Sequence, residues 1–170
     1  MGLEIERKFR VRGEGWRDAP AVLFRQGYLS RDPARTVRVR IAGDQAFLTI
    51  KGKGTGIARA EFEYPLPLAD ADTLLALCDG PLIEKTRRCI THDGLVWEVD
   101  EFLGENAGLI VAELELTSVD QPFSKPDWVG EEVSDDPRYF NAQLSVHPYS
   151  RWGDTDEERL LERTGSVGVG

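Results

Sequence analysis

Charged and apolar residues alternate along most of the extended stretches of this chain, and this alternation restricts its fold more than any other feature. In residues 3–10 the charged side chains take every second position: Glu4, Glu6, Lys8 and Arg10. The apolar side chains Leu3, Ile5 and Phe9 stand between them. A helix would spread these charges around its circumference, so the period of two predicts a strand. Because unpaired charges are costly to bury, the charged side must meet water, a metal ion or a polyanion.

The same pattern returns along the chain, so that eight strands are predicted. They are residues 3–10, 25–29, 35–41, 46–51, 59–64, 82–90, 95–102 and 109–116. Gly43-Asp44 and Asp93-Gly94 are hairpin turn signals between neighbouring strands. Short connections of this kind favour an antiparallel sheet.

Paired charges occupy one face of strand after strand. The acidic pairs are Glu4/Glu6, Glu61/Glu63, Glu98/Asp100 and Glu113/Glu115. The basic pairs are Lys8/Arg10, Arg38/Arg40 and Lys85/Arg87, with Lys51 and Arg59 added singly. The simpler alternative is the solvated side of an ordinary sheet, which usually mixes charges with Thr, Ser and Gln. Eight strands that curl into a barrel would instead enclose a wet tunnel with both signs of charge on its walls.

The remaining segments predict helices, which makes the chain an α+β protein. Residues 70–78 and 137–146 are predicted to form helices that could cover the outer apolar faces of the barrel. Residues 128–133 are predicted to form a third, short helix. Beyond Pro148, residues 154–163 could form another helix, and the glycine-rich end is expected to be disordered.

Composition excludes several classes of protein. The net charge of −9 argues against a general nucleic-acid coat, and no apolar run approaches the length of a membrane span. The charged N-terminal strand does not resemble a signal peptide. Cys78 and Cys89 have no metal-ligand spacing, which is typical of reduced thiols in a cytoplasmic protein. We therefore expect a cytoplasmic monomer or homodimer that binds neither nucleic acid nor a membrane.

A tunnel with such walls suits phosphoryl transfer. Arginine and lysine on several strands can clamp a linear polyphosphate. Carboxylates with one intervening residue can hold Mg²⁺ or Mn²⁺ and leave coordination positions for water and phosphate. Positive charge then offsets the charge that develops on the transferred phosphoryl group.

The motif Glu4-x-Glu6-x-Lys8 resembles the ExExK signature of the CYTH superfamily, the triphosphate tunnel metalloenzymes. Further motifs resemble family positions in the family's order: Arg38-x-Arg40, Thr49-Ile50-Lys51, Arg59-x-Glu61-x-Glu63, Glu84-Lys85-Thr86-Arg87, Glu98-x-Asp100 and Glu113-x-Glu115. Trp128 to Asn141 resembles the closing segment of the short bacterial members. We therefore expect a CYTH domain over residues 1–148 and a separate tail over residues 149–170.

The resemblance implies an eight-stranded antiparallel tunnel and a role for each matching residue. The implied metal ligands, for Mg²⁺ or Mn²⁺, are Glu4, Glu6, Glu113 and Glu115. The implied triphosphate-binding residues are Lys8, Arg38, Arg40, Lys51, Lys85 and Arg87, to which Arg59 is added as a further basic residue. Glu4, Glu6, Lys8 and Lys85 are the predicted catalytic residues. The resemblance does not assign a separate role to each of the supporting acidic residues, which are Glu61, Glu63, Glu98 and Asp100.

The leading functional hypothesis is a metal-dependent inorganic triphosphatase that acts on tripolyphosphate, with ATP as a further candidate substrate. Class IV adenylate cyclase and thiamine triphosphatase activities are alternatives on the same scaffold. A non-catalytic polyphosphate- or nucleotide-binding module is a further alternative. The repeated Glu-x-Glu pairs argue against that last hypothesis, because a pure anion clamp gains nothing from carboxylates.

Overall fold

A curled antiparallel sheet occupies most of residues 2–152, the part of the chain that this computed structural model describes. Its strands are β1 (Glu4–Val11), β2 (Ala21–Ser30), β3 (Arg35–Ala42), β4 (Gln45–Gly52), β5 (Ala58–Arg59), β6 (Glu61–Leu66), β7 (Ile83–His92), β8 (Leu95–Phe102), β9 (Ile110–Glu115) and β10 (Val129–Glu132). The spatial order is β10-β1-β9-β8-β7-β2-β3-β4-β6. All eight predicted segments are extended, although the segment 59–64 is divided into β5 and β6. This confirms the predicted α+β class and the antiparallel tunnel-like sheet.

The two ends of the sheet meet at β1. One edge of β1 pairs with β9, and the other edge is shared between β5 and β10. Glu4 lies opposite Arg59 in β5, and two backbone hydrogen bonds of 2.9 and 3.3 Å join Gly2 to Glu61. The sheet therefore curls into a tunnel, although its strand pairs do not form one continuous closed ladder.

The helix predicted at residues 128–133 does not form, and the helix predicted at residues 137–146 forms only in part. Residues 128–133 form β10 instead of a helix, because the second half of β1 has a free edge where Phe9 pairs with Glu132. The segment 137–146 is divided into a 3-10 turn, Pro137–Tyr139, and the short helix α2, Asn141–Leu144. Phe140 between them is extended, with φ −75° and ψ 135°. The segment predicted helical at 154–163 lies outside the described residues.

Helix α1 (Leu68–Leu77) covers the outer face of β3 and β4, as the pattern at 70–78 predicts. Its residues Ala71 and Leu75 are buried against Val39 and Ala46. Burying such side chains stabilises the fold by roughly 25 cal/mol for each Å² of apolar surface removed from water. None of the helices within residues 2–152 has the length and apolar character needed to cross a membrane.

Two aromatic clusters pack against the sheet, and the first of them covers the outer faces of β1, β8 and β9. Phe9 and Trp97 pack edge to face with ring centroids 5.3 Å apart, and loop residues Trp16 and Trp128 complete that cluster. Loops, not helices, therefore cover β1, β8 and β9.

The second cluster lies on the inward face of the sheet, where Ile83, Phe102 and Val111 share the parity of the charged residues of β7, β8 and β9. The closing segment, residues 133–152, packs on these side chains and not on an outer face, as was expected of the helix at 137–146. Within it, Trp152 packs on Tyr139 at 5.0 Å.

Candidate active site

A cavity of about 590 Å³ runs inside the curled sheet. Every predicted site residue except Asp100 lines it: Glu4, Glu6, Lys8, Arg38, Arg40, Lys51, Arg59, Glu61, Glu63, Lys85, Arg87, Glu98, Glu113 and Glu115. Arg10 shares the parity of Lys8 but is exposed and does not border the cavity. The charged faces therefore look at one another across a shared space, because each strand turns the same parity inward.

The acidic part of the wall is built by β1 and β9. Their register places Glu6 opposite Glu115 and Lys8 opposite Glu113. The Lys8 ammonium donates to Glu113 Oε2 at 2.6 Å and lies 3.3 Å from Glu6 Oε1. One lysine therefore bridges two carboxylates from neighbouring strands.

Glu4 lies at the seam where β1 meets β5. Its side chain is almost fully buried, and the Lys51 ammonium donates to its two carboxylate oxygens at 2.9 and 3.2 Å. Burial acts to raise the pKa of Glu4, but the charge and hydrogen bond of Lys51 outweigh it and lower this pKa. Glu4 is therefore ionised at neutral pH.

Glu6, in contrast, is mainly protonated at neutral pH. Burial, followed by the nearby charge of Glu113, raises the pKa of Glu6 from 4.5 to about 8, and Lys8 offsets only part of this. Burial also disfavours the Glu113 carboxylate, but Lys8 and Arg87 hold its pKa well below the ordinary value. Two carboxylates crowd one another here, and Glu6 is the one that retains a proton.

We expect Glu6→Gln to remove a pH-dependent loss of stability in the metal-free protein. Since the folded-state pKa of Glu6 lies above 4.5, the folded state binds its proton more tightly. That advantage is complete below about pH 4.5 and is lost as pH rises toward 8, by about 1.4 kcal/mol for each pKa unit. Urea unfolding at pH 5 and pH 8 should show the variant gaining about 1–3 kcal/mol over wild type at the higher pH. An equal difference from wild type at both pH values would contradict this.

The basic part of the wall stands on β3 and β7, with β2 between them. Arg40 and Arg87 both place their guanidinium carbon 4.8 Å from the centre of the Phe24 ring. The Lys85 ammonium lies 6.0 Å from the same centre. Cation–π attraction lets one uncharged ring hold three like charges near one another. The sequence analysis did not identify Phe24 as a site residue because it is uncharged. Its position on β2 nevertheless gives it the same inward parity as Gln26.

Asp100 does not line the cavity but lies behind the side chains that do. It is fully buried, accepts two hydrogen bonds of 2.7 and 2.8 Å from Arg87, and lies 2.7 Å from the Lys85 ammonium. Burial acts to raise its pKa, but Arg87 and Lys85 outweigh burial and hold it at about 2. Burial, together with Arg87 and Arg40, lowers the pKa of Lys85 to about 7, although Asp100 opposes this. Asp100 therefore supports the two basic side chains from behind.

The other supporting acidic residues also pair with basic residues of the wall. Glu61 lies 3.6 Å from Lys51, and Glu98 lies 3.2 Å from Arg87. Glu63 lies 3.8 Å from an Arg38 nitrogen. The buried hydroxyl of Thr49 links these last two side chains: it accepts from Arg38 at 3.1 Å and donates to Glu63 at 3.0 Å.

The donor chemistry of the acidic wall fits a hard divalent cation. Within residues 2–152, no three His, Cys, Asp or Glu side chains are grouped closely enough to hold a metal ion as they stand. The carboxylates of Glu4, Glu6, Glu113 and Glu115 nevertheless border one cavity. Their mutual repulsion contributes to the raised pKa of Glu6, and a bound cation would relieve it. Oxygen-only donors of this kind suit Mg²⁺ or Mn²⁺.

Comparison with known proteins agrees with this geometry. The family model described as the CYTH domain matches residues 2–142. An inorganic triphosphatase of Acetivibrio thermocellus is 49% identical over 154 residues, which covers 89% of this chain and 99% of that protein. An inorganic triphosphatase of Nitrosomonas europaea is 37% identical over 148 residues, with 84% and 97% covered.

A solved structure also resembles this chain. The crystal structure of the inorganic triphosphatase NE1496 superimposes with a TM-score of 0.59 at 36% identity, covering 86% of this chain and 96% of that one. The family match spans most of the chain, and the relatives are covered almost completely. The chain with this charged tunnel therefore belongs to the CYTH family.

Proposed function

We propose that this protein is a metal-dependent inorganic triphosphatase that cleaves tripolyphosphate to pyrophosphate and phosphate. The observation that carries the proposal is the single cavity in which basic side chains from β1, β3, β4 and β7 face the carboxylates of β1 and β9. The likeness to two proteins named inorganic triphosphatase supports the same activity.

The basic residues bind the phosphate chain in this proposal. Arg38, Arg40 and Arg87 supply planar forks that match phosphate oxygens, whereas Lys8, Lys51 and Lys85 act as point charges. Their acidic partners and the Phe24 ring keep these side chains in place before substrate arrives. Preorganised positive charge of this kind stabilises the charge that develops on the terminal phosphoryl group.

Glu4, Glu6, Glu113 and Glu115 would hold Mg²⁺ or Mn²⁺, since triphosphate tunnel enzymes of the CYTH family depend on a metal ion. When bound, the cation neutralises phosphate oxygens and lowers the pKa of water. Lys8 and Lys51 balance the charges of Glu4, Glu6 and Glu113, and a cation held by these carboxylates would leave both ammonium groups available to phosphate. In the reaction, a water oxygen bonds to the terminal phosphorus as the bond from that phosphorus to the bridging oxygen breaks.

A phosphate-release assay across several substrates tests the proposal. Tripolyphosphate, ATP and thiamine triphosphate are supplied in turn with Mg²⁺, Mn²⁺ or Ca²⁺. We expect phosphate release from tripolyphosphate to exceed release from the other two by about tenfold or more, because charged side chains from most strands line the cavity and suit a substrate that is phosphate throughout. Folded, metal-bound protein that binds tripolyphosphate without releasing phosphate would indicate the non-catalytic binding module instead. Faster turnover of ATP or thiamine triphosphate would assign one of the other activities.

A further inference from the structure

Two amide side chains, neither of them charged, connect two basic residues of the cavity. The Arg40 Nε donates to Gln26 Oε1 at 2.7 Å, and Gln26 Nε2 donates to Asn141 Oδ1 at 3.1 Å. The Lys85 ammonium donates to the same Asn141 oxygen at 2.8 Å. Gln26 is fully buried, whereas Asn141 borders the cavity. The chain of hydrogen bonds therefore runs from Arg40 on β3, through β2, to the closing segment and back to β7.

The chemistry of its arginine end fixes the direction of this chain. Arginine can only donate hydrogen bonds, so the Gln26 oxygen must face Arg40, and the Gln26 nitrogen must meet an acceptor oxygen on Asn141. The Gln26 nitrogen then meets the Asn141 oxygen, as the structure shows. The Asn141 Nδ2 is left pointing away from both partners. Across residues 2–152, no group accepts a hydrogen bond from this nitrogen, and its residue lines the cavity.

Backbone geometry brings these residues together from distant parts of the sequence. Gln26 lies directly opposite Arg40 in the pairing of β2 with β3, and Phe24 lies opposite Lys85 in the pairing of β2 with β7. Asn141 begins α2, immediately after the extended Phe140. The closing segment thus borders the cavity, and its Asn141 contacts Lys85 and Gln26 at the same oxygen.

We propose that Asn141 is a further substrate-binding residue, whose Nδ2 donates to an oxygen of the phosphate chain. In this arrangement Gln26 is a positioning residue that sets the orientation of the Asn141 amide and of the Arg40 guanidinium. The inference rests on the proposed function, since it takes an inorganic polyphosphate as the ligand. It adds a neutral, directional donor to a site whose other phosphate ligands are cations, and it places one phosphate ligand on the segment 133–152.

Three variants and a matched control separate substrate binding from folding. Asn141→Asp keeps an oxygen toward Lys85 and Gln26 but replaces Nδ2 by a carboxylate oxygen, which would repel phosphate. Asn141→Ala removes both groups, and Gln26→Leu removes the support behind them. The control is Asn106→Ala: Asn106 is also buried, and its oxygen accepts from the Tyr149 backbone N–H at 2.8 Å outside the cavity.

Tripolyphosphate binding is measured by titration calorimetry, without divalent cation and with Ca²⁺, beside the melting temperature and the Mg²⁺-dependent kcat and KM. We expect Asn141→Asp to weaken binding by about 30-fold or more, and Asn141→Ala and Gln26→Leu by about 5- to 20-fold. The loss should fall mainly on KM. The double variant Gln26→Leu/Asn141→Ala should lose little beyond Asn141→Ala, because the two residues act in one chain. Asn106→Ala should lower the melting temperature and leave affinity unchanged.

The outcomes distinguish this inference from the proposed function. If the Asn141 and Gln26 variants melt earlier but bind tripolyphosphate as tightly as wild type, the amides are structural and the inference is overturned. If wild type binds tripolyphosphate more tightly than these variants yet releases no phosphate, the proposed function fails and the inference stands. If wild type does not bind tripolyphosphate under either condition, both fail.

Discussion

Glu4→Gln will lose turnover of tripolyphosphate by about 100-fold or more with either Mg²⁺ or Mn²⁺. Glu4 is buried at the seam of the tunnel, and Lys51 keeps it ionised at neutral pH. An amide has nearly the same shape but carries no charge, so it is a much weaker ligand for a hard cation. The rate of phosphate release at saturating tripolyphosphate measures the loss. Calorimetric titration with Mn²⁺, without substrate, should show weaker metal binding in the same variant.

The fold should survive this substitution. The amide carbonyl that replaces the carboxylate still accepts a hydrogen bond from Lys51, so we expect the melting temperature to change by only a few degrees. The matched control is Glu84→Gln, which removes a half-exposed carboxylate from the outer face of β7, 3.5 Å from Arg25. This control should retain wild-type turnover. A Glu4→Gln protein with wild-type activity would refute the assignment, and one that fails to fold would mark Glu4 as structural.

Asp100→Asn will lower the free energy of unfolding by about 3–5 kcal/mol, the largest stability loss that we expect from a single charge in this protein. The carboxylate neutralises Arg87 and Lys85, and all three side chains are buried. Removing its charge leaves the buried Arg87 guanidinium without its main partner and further disfavours the charged form of Lys85, with Arg40 nearby. Urea unfolding at pH 7 measures the difference, and Glu98→Gln should cost less because Glu98 is partly exposed.

Glu101→Gln is the matched control, since Glu101 follows Asp100 on β8 and faces outward. It pairs with Arg17 and Arg88 at the surface, so its loss should cost less than about 1 kcal/mol. The pKa of Asp100 is depressed to about 2, so its contribution is complete above about pH 4 and is lost as the pH falls toward 2. The gap between the two variants should therefore narrow in acid. Equal stabilities at pH 7 would contradict this account of Asp100.

The inward-facing charges were predictable because side-chain parity is a local property of a strand. Glu6, Arg38 and Glu113 reach the same cavity although they are far apart in the sequence, since each stands on the charged side of its own strand. Turn signals such as Asp93-Gly94 likewise act over a few residues, and Asp93 adopts the positive φ of 54° that this turn needs. The roles assigned to these charges toward metal and phosphate remain predictions.

The presence or absence of a competing strand partner decided whether a predicted helix formed. The segment at 68–77 has no competing partner and forms α1 close to the predicted bounds. Residues 129–132 were predicted helical, but the open edge of β1 offers them backbone hydrogen bonds that a short helix cannot match. The sequence of residues 128–133 contains no information on the position of the open edge of β1.

The alternation of charge and apolar side chains alone determined the strands, their inward faces and the ionic character of the tunnel, because a strand's period of two comes from the geometry of its own backbone. Only the tertiary structure decided which charges neutralise one another. It placed Asp100 behind Lys85, set Phe24 beneath the arginines and brought Asn141 to Gln26. These contacts depend on strand register and on the curl of the whole sheet, which arise from long-range packing and leave no periodic trace in the sequence.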